Sequence, residues 1–151
     1  MHHATLRANG VSFHVAQTGH GAPLLFLHGW PEFWLTWEPV VTRLEGRFRS
    51  IAPDLRGFGD SDKPQGPFGA TDHSADMLAL LDALKIDRVG VIGHDVGGAA
   101  MLPLARQAPE RIAGLSFSIS SMRESGLAWA RPTVSMRSGT SHSIRWKWHQ
   151  N

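Results

Sequence analysis

The chain has 151 residues, of which 42% are hydrophobic and none is cysteine, and its formal net charge at pH 7 is +2. These values are ordinary for a single globular domain, and without cysteine neither a disulfide framework nor a thiolate metal site can form. No apolar run reaches the roughly 18 residues that a membrane span requires, and the N-terminus lacks a signal-peptide pattern. We therefore expect a cytoplasmic protein that engages no membrane.

The sequence pI of about 9.7 arises from one end of the chain. Residues 121–151 contain five arginine or lysine residues and one acidic residue, whereas the preceding residues carry a net negative charge. A nucleic-acid-binding protein clusters its basic residues on one structured face. The distribution argues against nucleic acid as a partner.

Strands and helices alternate along most of the chain after an initial hairpin. The dipeptide Asn9-Gly10 lies between two β-forming runs and is a favoured two-residue hairpin turn. The β-forming runs predict strands over residues 4–7, 11–16, 24–27, 48–53, 89–92 and 111–117. The spacing of apolar side chains predicts helices over residues 34–45, 71–84 and 95–108. In the second helix, the predicted buried face consists of Met77, Leu78, Leu81 and Leu84.

This order predicts an α/β fold with a mostly parallel sheet, helices on both faces and an N-terminal antiparallel hairpin at one edge. In open parallel sheets, ligands bind beyond the carboxyl ends of the strands. The segment His28-Gly-Trp-Pro31 and the residues Asp54 and Asp95 each follow a predicted strand. We expect the functional site where these three segments meet.

The segment Gly93-His-Asp-Val-Gly97 joins a predicted buried strand to a helix rich in small residues. Glycines two residues before and two after Asp95 match the nucleophile elbow, in which a residue on a strained strand-to-helix turn projects into a cleft. Serine usually occupies this position, and here it is aspartate. Asp95 alone would also suit an ordinary helix N-cap, so the neighbouring motifs decide between the two interpretations.

Three motifs resemble, in order and spacing, those of α/β-hydrolases of the epoxide hydrolase branch: His28-Gly-Trp-Pro31, Asp54-Leu-Arg-Gly-Phe-Gly-Asp-Ser61 and Gly93-His-Asp-Val-Gly-Gly98. The resemblance covers about residues 4–115. It implies that Asp95 is the nucleophile and that the backbone N–H groups of Trp30 and Val96 stabilise an oxyanion. It also implies a cis peptide bond before Pro31.

Other residues near Asp95 have structural interpretations. We expect His28 to form hydrogen bonds at its strand end, and His94 to pack or hydrogen-bond locally without acting as the base. The residues predicted to shape the backbone around the nucleophile are Gly29, Pro31, Gly93 and Gly97. The aromatic residues that could line an apolar pocket are Trp30 and Phe33, with core packing an alternative for Trp34 and Trp37.

Charged residues after the fourth predicted strand also have structural interpretations. Asp54 and Arg56 are predicted to brace a loop through an ion pair. Asp60 and Asp62 suit turn chemistry better than a metal site, because glycine, serine and lysine surround them. We expect no metal and no cofactor to take part in the reaction.

The resemblance implies that the enzyme opens a small apolar epoxide to a diol through an ester on Asp95. A dehalogenase of the same fold, acting on a halogenated substrate, is the alternative. Haloalkane dehalogenases have tryptophan after the nucleophile and haloacetate dehalogenases have arginine, so Val96 argues against both.

Residues 116–151 depart from the family pattern. The family has a catalytic histidine and a supporting acid downstream, after a helical cap that supplies two tyrosines. This chain contains no tyrosine, and His142 and His149 lie in a serine-rich stretch without helical or strand periodicity. We therefore divide the chain into an N-terminal half-core over 1–115 and an aberrant tail over 116–151. We explain this departure by a frameshift near Leu115, and a divergent or disordered tail is the alternative. In either case, we expect a truncated product that is inactive alone.

Overall fold

A computed structural model describes residues 1–66 and 68–118, and within this part of the chain six strands form one sheet. The strands are β1 (His2–Ala8), β2 (Val11–Thr18), β3 (Ala22–Leu27), β4 (Phe48–Pro53), β5 (Val89–His94) and β6 (Ile112–Ser118). Their order across the sheet is β1-β2-β4-β3-β5-β6. β3, β4, β5 and β6 pair in parallel, whereas β1 pairs with β2, and β2 with β4, antiparallel. The predicted fold class is confirmed.

The β1–β2 hairpin turns at Asn9 and Gly10, whose φ angles of 47° and 75° are typical of a type I′ turn. This turn sets a register in which Thr5 lies opposite His14. Side chains two residues apart on a strand share a face, so His3 is a diagonal neighbour of His14 across the hairpin.

The helices are α1 (Glu38–Leu44), α2 (Ala70–Ala83) and α3 (Asp95–Gln107). The continuous helix predicted over residues 34–45 is wrong for its first turn, which is a 3₁₀ helix over Trp34–Trp37. Pro39 has no backbone N–H to donate to the carbonyl of Leu35, so an α-helical hydrogen bond cannot form there.

Apolar side chains pack on both faces of the sheet. Leu25 and Leu27 of β3 belong to the larger core, which also contains residues of α2 and α3. Phe26 points to the opposite face, where it packs with Trp37 and Val41. This alternation along one strand shows that β3 is covered on both sides, as a central parallel strand requires.

The predicted buried face of α2 is wrong in part. Leu78 and Leu84 are only partly buried, and the fully buried residues are His73, Ser74, Asp76, Met77, Leu80 and Leu81. The polar members of this set meet partners on other elements: the Ser74 hydroxyl lies 3.4 Å from Gln107 on α3, and Asp76 accepts hydrogen bonds from Asn9 and Arg56. The buried face of α2 therefore includes polar residues that have partners on other elements, and it differs from the face that apolar spacing alone predicts.

β6 runs from Ile112 to Ser118 and pairs with β5 until His94 lies opposite Ser118. The predicted start of the aberrant tail, after residue 115, falls inside this strand. The frameshift hypothesis for the later residues, with His142 and His149, lies outside the described residues. Among the residues that are described, no helix is long and apolar enough to cross a membrane.

Candidate active site

Asp95 follows β5 directly and is the first residue of α3. Its φ angle of 50° lies in the left-handed region, which is uncommon for a residue other than glycine. The N-cap position of α3 belongs to His94, which has extended backbone angles, so Asp95 is not an ordinary helix cap. A strained backbone and an exposed side chain at a strand-to-helix turn are the features of a nucleophile elbow.

Glycines let the elbow fold tightly against the end of β3. A Cβ atom at Gly97 would lie 2.3 Å from the carbonyl oxygen of Leu27, and one at Gly29 would lie 2.7 Å from Cβ of Asp95. At Gly93, an added Cβ would lie 2.4 Å from Sδ of Met101. Each position therefore has space only for hydrogen, which explains the small residues of both motifs.

The carboxylate of Asp95 accepts a backbone hydrogen bond from the facing loop, because the Trp30 N–H donates to Oδ1 at 3.0 Å. This bond lowers the pKa of Asp95 below its ordinary value because it favours the ionised form, and the adjacent Val96 N–H and the nearby His94 act in the same direction. The peptide bond between Trp30 and Pro31 is cis, as the resemblance implies.

Glu32 connects the turn that carries Trp30 to the elbow. Its Oε2 accepts the Gly29 N–H at 3.0 Å, its own N–H donates to the Gly29 carbonyl at 3.0 Å, and its Oε1 lies 3.9 Å from Nε2 of His94. The Nδ1–H of His94 donates to the carbonyl of Ser118 at 2.9 Å. Sequence reasoning missed Glu32, although its position three residues after Gly29 has the spacing of a capping box.

His28 is fully buried and bonded at both ring nitrogens. Its Nδ1–H donates to the Gly29 carbonyl, and its Nε2 accepts the Leu55 N–H, each at 2.9 Å. Burial lowers the pKa of His28, so the neutral ring with its proton on Nδ1 is the form that fits these partners. The side chain ties the end of β3 to the loop after β4.

The predicted ion pair between Asp54 and Arg56 is wrong. Asp54 is fully buried, and its carboxylate accepts hydrogen bonds from the Trp34 N–H at 2.7 Å, the Asp60 N–H at 2.9 Å and Nδ1 of His14 at 2.9 Å. Arg56 instead holds the buried carboxylate of Asp76 with two hydrogen bonds, at 2.7 and 2.5 Å. α2 supplies this partner from 20 residues further along the chain, so adjacency in sequence suggested the wrong acid.

The aromatic residues after β3 divide into a buried and an exposed set. Trp37 is buried, and its ring centroid lies 5.4 Å from that of Phe26, which makes it a core residue. The Trp30 and Phe33 residues are 70% and 40% exposed. These two keep apolar surface available to a ligand near the carboxyl ends of the strands.

Comparison with known proteins gives a consistent result. A sequence profile of the alpha/beta hydrolase fold family matches residues 22–135. Epoxide hydrolase 2 of Siraitia grosvenorii is 43% identical over 116 residues, which are 75% of this chain and 37% of that protein. The soluble epoxide hydrolase of Corynebacterium sp. (strain C12) is 46% identical over 98 residues, which are 65% of this chain and 34% of that protein.

The crystal structure of an epoxide hydrolase from Vigna radiata is also similar, with a TM-score of 0.74 at 36% sequence identity. The match covers 77% of this chain and 37% of that chain. This chain thus spans only 34–37% of the length of these relatives.

Proposed function

Because the chain belongs to the alpha/beta hydrolase fold family, we propose that Asp95 is the nucleophile of an epoxide hydrolase. The observation that carries this proposal is an ionised aspartate at the elbow, with the Trp30 N–H 3.0 Å from Oδ1. A carboxylate can attack a saturated carbon and leave an ester on the enzyme, as nucleophilic catalysis of epoxide opening requires. The identity with epoxide hydrolases of other organisms supports this substrate class.

In the first step, the Asp95 oxygen that is not held by Trp30 attacks an epoxide carbon, and the ring C–O bond breaks. The ring oxygen takes up a proton from solvent water and becomes a hydroxyl group. In the second step, water attacks the ester carbonyl carbon, and negative charge develops on the oxygen that accepts the Trp30 N–H, with the Val96 N–H as the second donor that the resemblance implies. Release of the diol restores the carboxylate, and neither step requires a metal or a cofactor.

The two steps place different demands on the chain. Ester formation needs Asp95 ionised and its backbone donors in position, and both are features of the described residues. Ester hydrolysis needs a base that activates water, and in this proposal that base is the downstream histidine that the resemblance implies and not His94, which hydrogen-bonds to Ser118. We therefore expect the 151-residue polypeptide to form the ester without turning over repeatedly.

The test is the intact mass of the 151-residue polypeptide after incubation with styrene oxide. An ester on Asp95 adds the whole mass of the epoxide, because ring opening expels no leaving group. The adduct should be absent in Asp95→Asn and present in Asp87→Asn, a matched variant of an exposed aspartate away from the elbow.

Other outcomes decide between the alternatives. An adduct from a chloroalkane, lighter than the reagent by hydrogen chloride, would favour the dehalogenase, because that reaction expels halide. Steady diol formation that Asp95→Asn abolishes would contradict a stalled ester while keeping the nucleophile. No adduct with either reagent would leave a non-catalytic polypeptide as the best description.

A further inference from the structure

A second cluster of titratable side chains lies on the hairpin and takes no part in the proposed reaction. It consists of His3 on β1, His14 on β2 and Asp54 after β4. Nδ1 of His3 lies 3.0 Å from Nε2 of His14, and Nδ1 of His14 lies 2.9 Å from Oδ2 of Asp54. The ring of Trp34 packs edge-on against His3, with centroids 4.8 Å apart. The three groups form a continuous chain from a buried carboxylate to an exposed imidazole.

The buried carboxylate determines which nitrogen of His14 is available. Asp54 also accepts two backbone N–H groups, so it acts as an acceptor, and Nδ1 of His14 carries the hydrogen between them. In neutral His14 the lone pair is then on Nε2, the atom that faces His3. A carboxylate that orients a histidine from behind in this way is a recurring feature of metal sites.

The separation of the two imidazole nitrogens fits adjacent ligands of one ion. With zinc–nitrogen bonds of about 2.0–2.1 Å, two ligands lie about 2.9 Å apart at a right angle and about 3.3 Å apart at the tetrahedral angle. The observed 3.0 Å lies between these values. We propose that His3 and His14 bind a divalent transition-metal ion of the zinc type through these nitrogens, with Asp54 orienting His14.

The surrounding charge and chemistry agree with this class of ion. Potential ligand atoms of His14, Asp54 and Asp60 lie within 4.8 Å of one another, so two carboxylates add negative charge beside the imidazoles. Imidazole nitrogen suits zinc, copper and nickel, whereas magnesium and calcium prefer oxygen ligands. On binding, the Nδ1 hydrogen of neutral His3 is lost to water and Nε2 takes up a proton, so that Nδ1 presents a lone pair. Water can reach the ring because His3 is exposed.

The test is calorimetric titration of the 151-residue polypeptide with zinc chloride alone, at neutral pH in a buffer that does not chelate. We expect one binding event, weakened at least about tenfold in His3→Ala and in His14→Asn. Asparagine at position 14 retains a nitrogen donor for Asp54, and melting curves without zinc check that each variant folds. His3 is exposed, so His3→Ala keeps the test decisive even if His14→Asn fails to fold.

His2→Ala is the matched control, because His2 is exposed on the same strand and its side chain points to the opposite face. Its affinity for zinc should equal that of the unaltered chain. Absence of zinc binding to the unaltered chain would overturn the proposal. Loss of binding in His2→Ala with full binding in His14→Asn would also overturn it, because the ion would then be held by the N-terminal residues alone.

Discussion

Asp54 and Asp95 each follow a parallel strand of the same sheet, yet their surroundings differ in almost every respect. Asp54 is fully buried, and three donors from separate segments occupy its carboxylate. Asp95 is exposed at a left-handed turn, and its carboxylate accepts the backbone N–H of Trp30 in the facing loop. A saturated buried carboxylate holds loops together, whereas an exposed one with a free oxygen can attack a ligand. Hydrogen bonding, more than position in the fold, separates the two roles.

The same substitution at both positions tests this difference in stability. In Asp54→Asn, an amide NH₂ replaces a carboxylate oxygen that accepts hydrogen bonds, so a donor faces other donors in a buried site. We therefore expect a loss of about 2–4 kcal/mol in the free energy of unfolding. In Asp95→Asn, the loss should be below about 0.5 kcal/mol, because asparagine tolerates the left-handed region and the site is exposed. Urea unfolding followed by tryptophan fluorescence measures both. Equal losses at the two positions would contradict the assignment of separate roles.

A smaller effect is expected from the glycines that let the elbow approach β3. Gly97→Ala places a methyl group 2.3 Å from the Leu27 carbonyl oxygen, and the backbone must shift, at a cost of about 1–3 kcal/mol. Gly46→Ala is the control, because an added Cβ there meets no atom within 4 Å. Its unfolding free energy should stay within about 0.5 kcal/mol of the unaltered chain. If Gly97→Ala is as stable as Gly46→Ala, the packing at the elbow is looser than the distances indicate.

Asp95 and Asp54 also differ in how much of their surroundings the sequence predicts. The spacing around Asp95 predicted the elbow, because glycine positions in a tight turn are fixed by local backbone geometry. β4 has the predicted bounds of Phe48–Pro53, since a short β-forming segment between Gly46 and Asp54 is a local signal as well. Features that are determined by residues adjacent in the chain could therefore be predicted from the sequence.

Features that depend on partners distant in sequence could not be predicted in this way. Arg56 binds Asp76 on α2 instead of the nearby Asp54, because the fold brings Asp76 to it. The contact of Asp54 with His14 spans 40 residues and has no sequence pattern of its own. Buried polar groups take whichever partner tertiary packing supplies, so their pairing cannot be read from spacing.

The pH dependence of stability should report the buried histidines. Burial lowers the pKa of His28 and of His73 below the ordinary value of 6.5. The unfolded chain then binds protons that the folded chain does not, so stability falls as the pH drops below about 6.5 and is retained above it. Melting temperatures between pH 8 and pH 5 measure this slope.

His73→Phe isolates one contribution to that slope. The His73 ring lies between Phe58 and Phe68, with centroid distances of 6.4 and 5.9 Å, so phenylalanine suits the site. The variant should show a shallower loss of stability in acid, with the remainder due to His28. A slope identical to that of the unaltered chain would contradict a role for His73.

The smallest effect is expected at Glu32, which supports the exposed aspartate indirectly. Glu32→Gln keeps an oxygen that can accept the Gly29 N–H but removes the charge 3.9 Å from His94, so ester formation should slow by less than about fivefold. Glu32→Ala removes both interactions, so the turn that carries Trp30 loses its side-chain hydrogen bond. Ester formation should then be about fivefold to tenfold slower than in the unaltered chain. Single-turnover rates from the mass of the Asp95 adduct measure both, with Glu38→Gln as the control on an exposed residue of α1. A rate for Glu32→Ala equal to that of the unaltered chain would mean that the Trp30 N–H keeps its position without Glu32, and the elbow and its cis turn would then suffice to hold the Asp95 carboxylate.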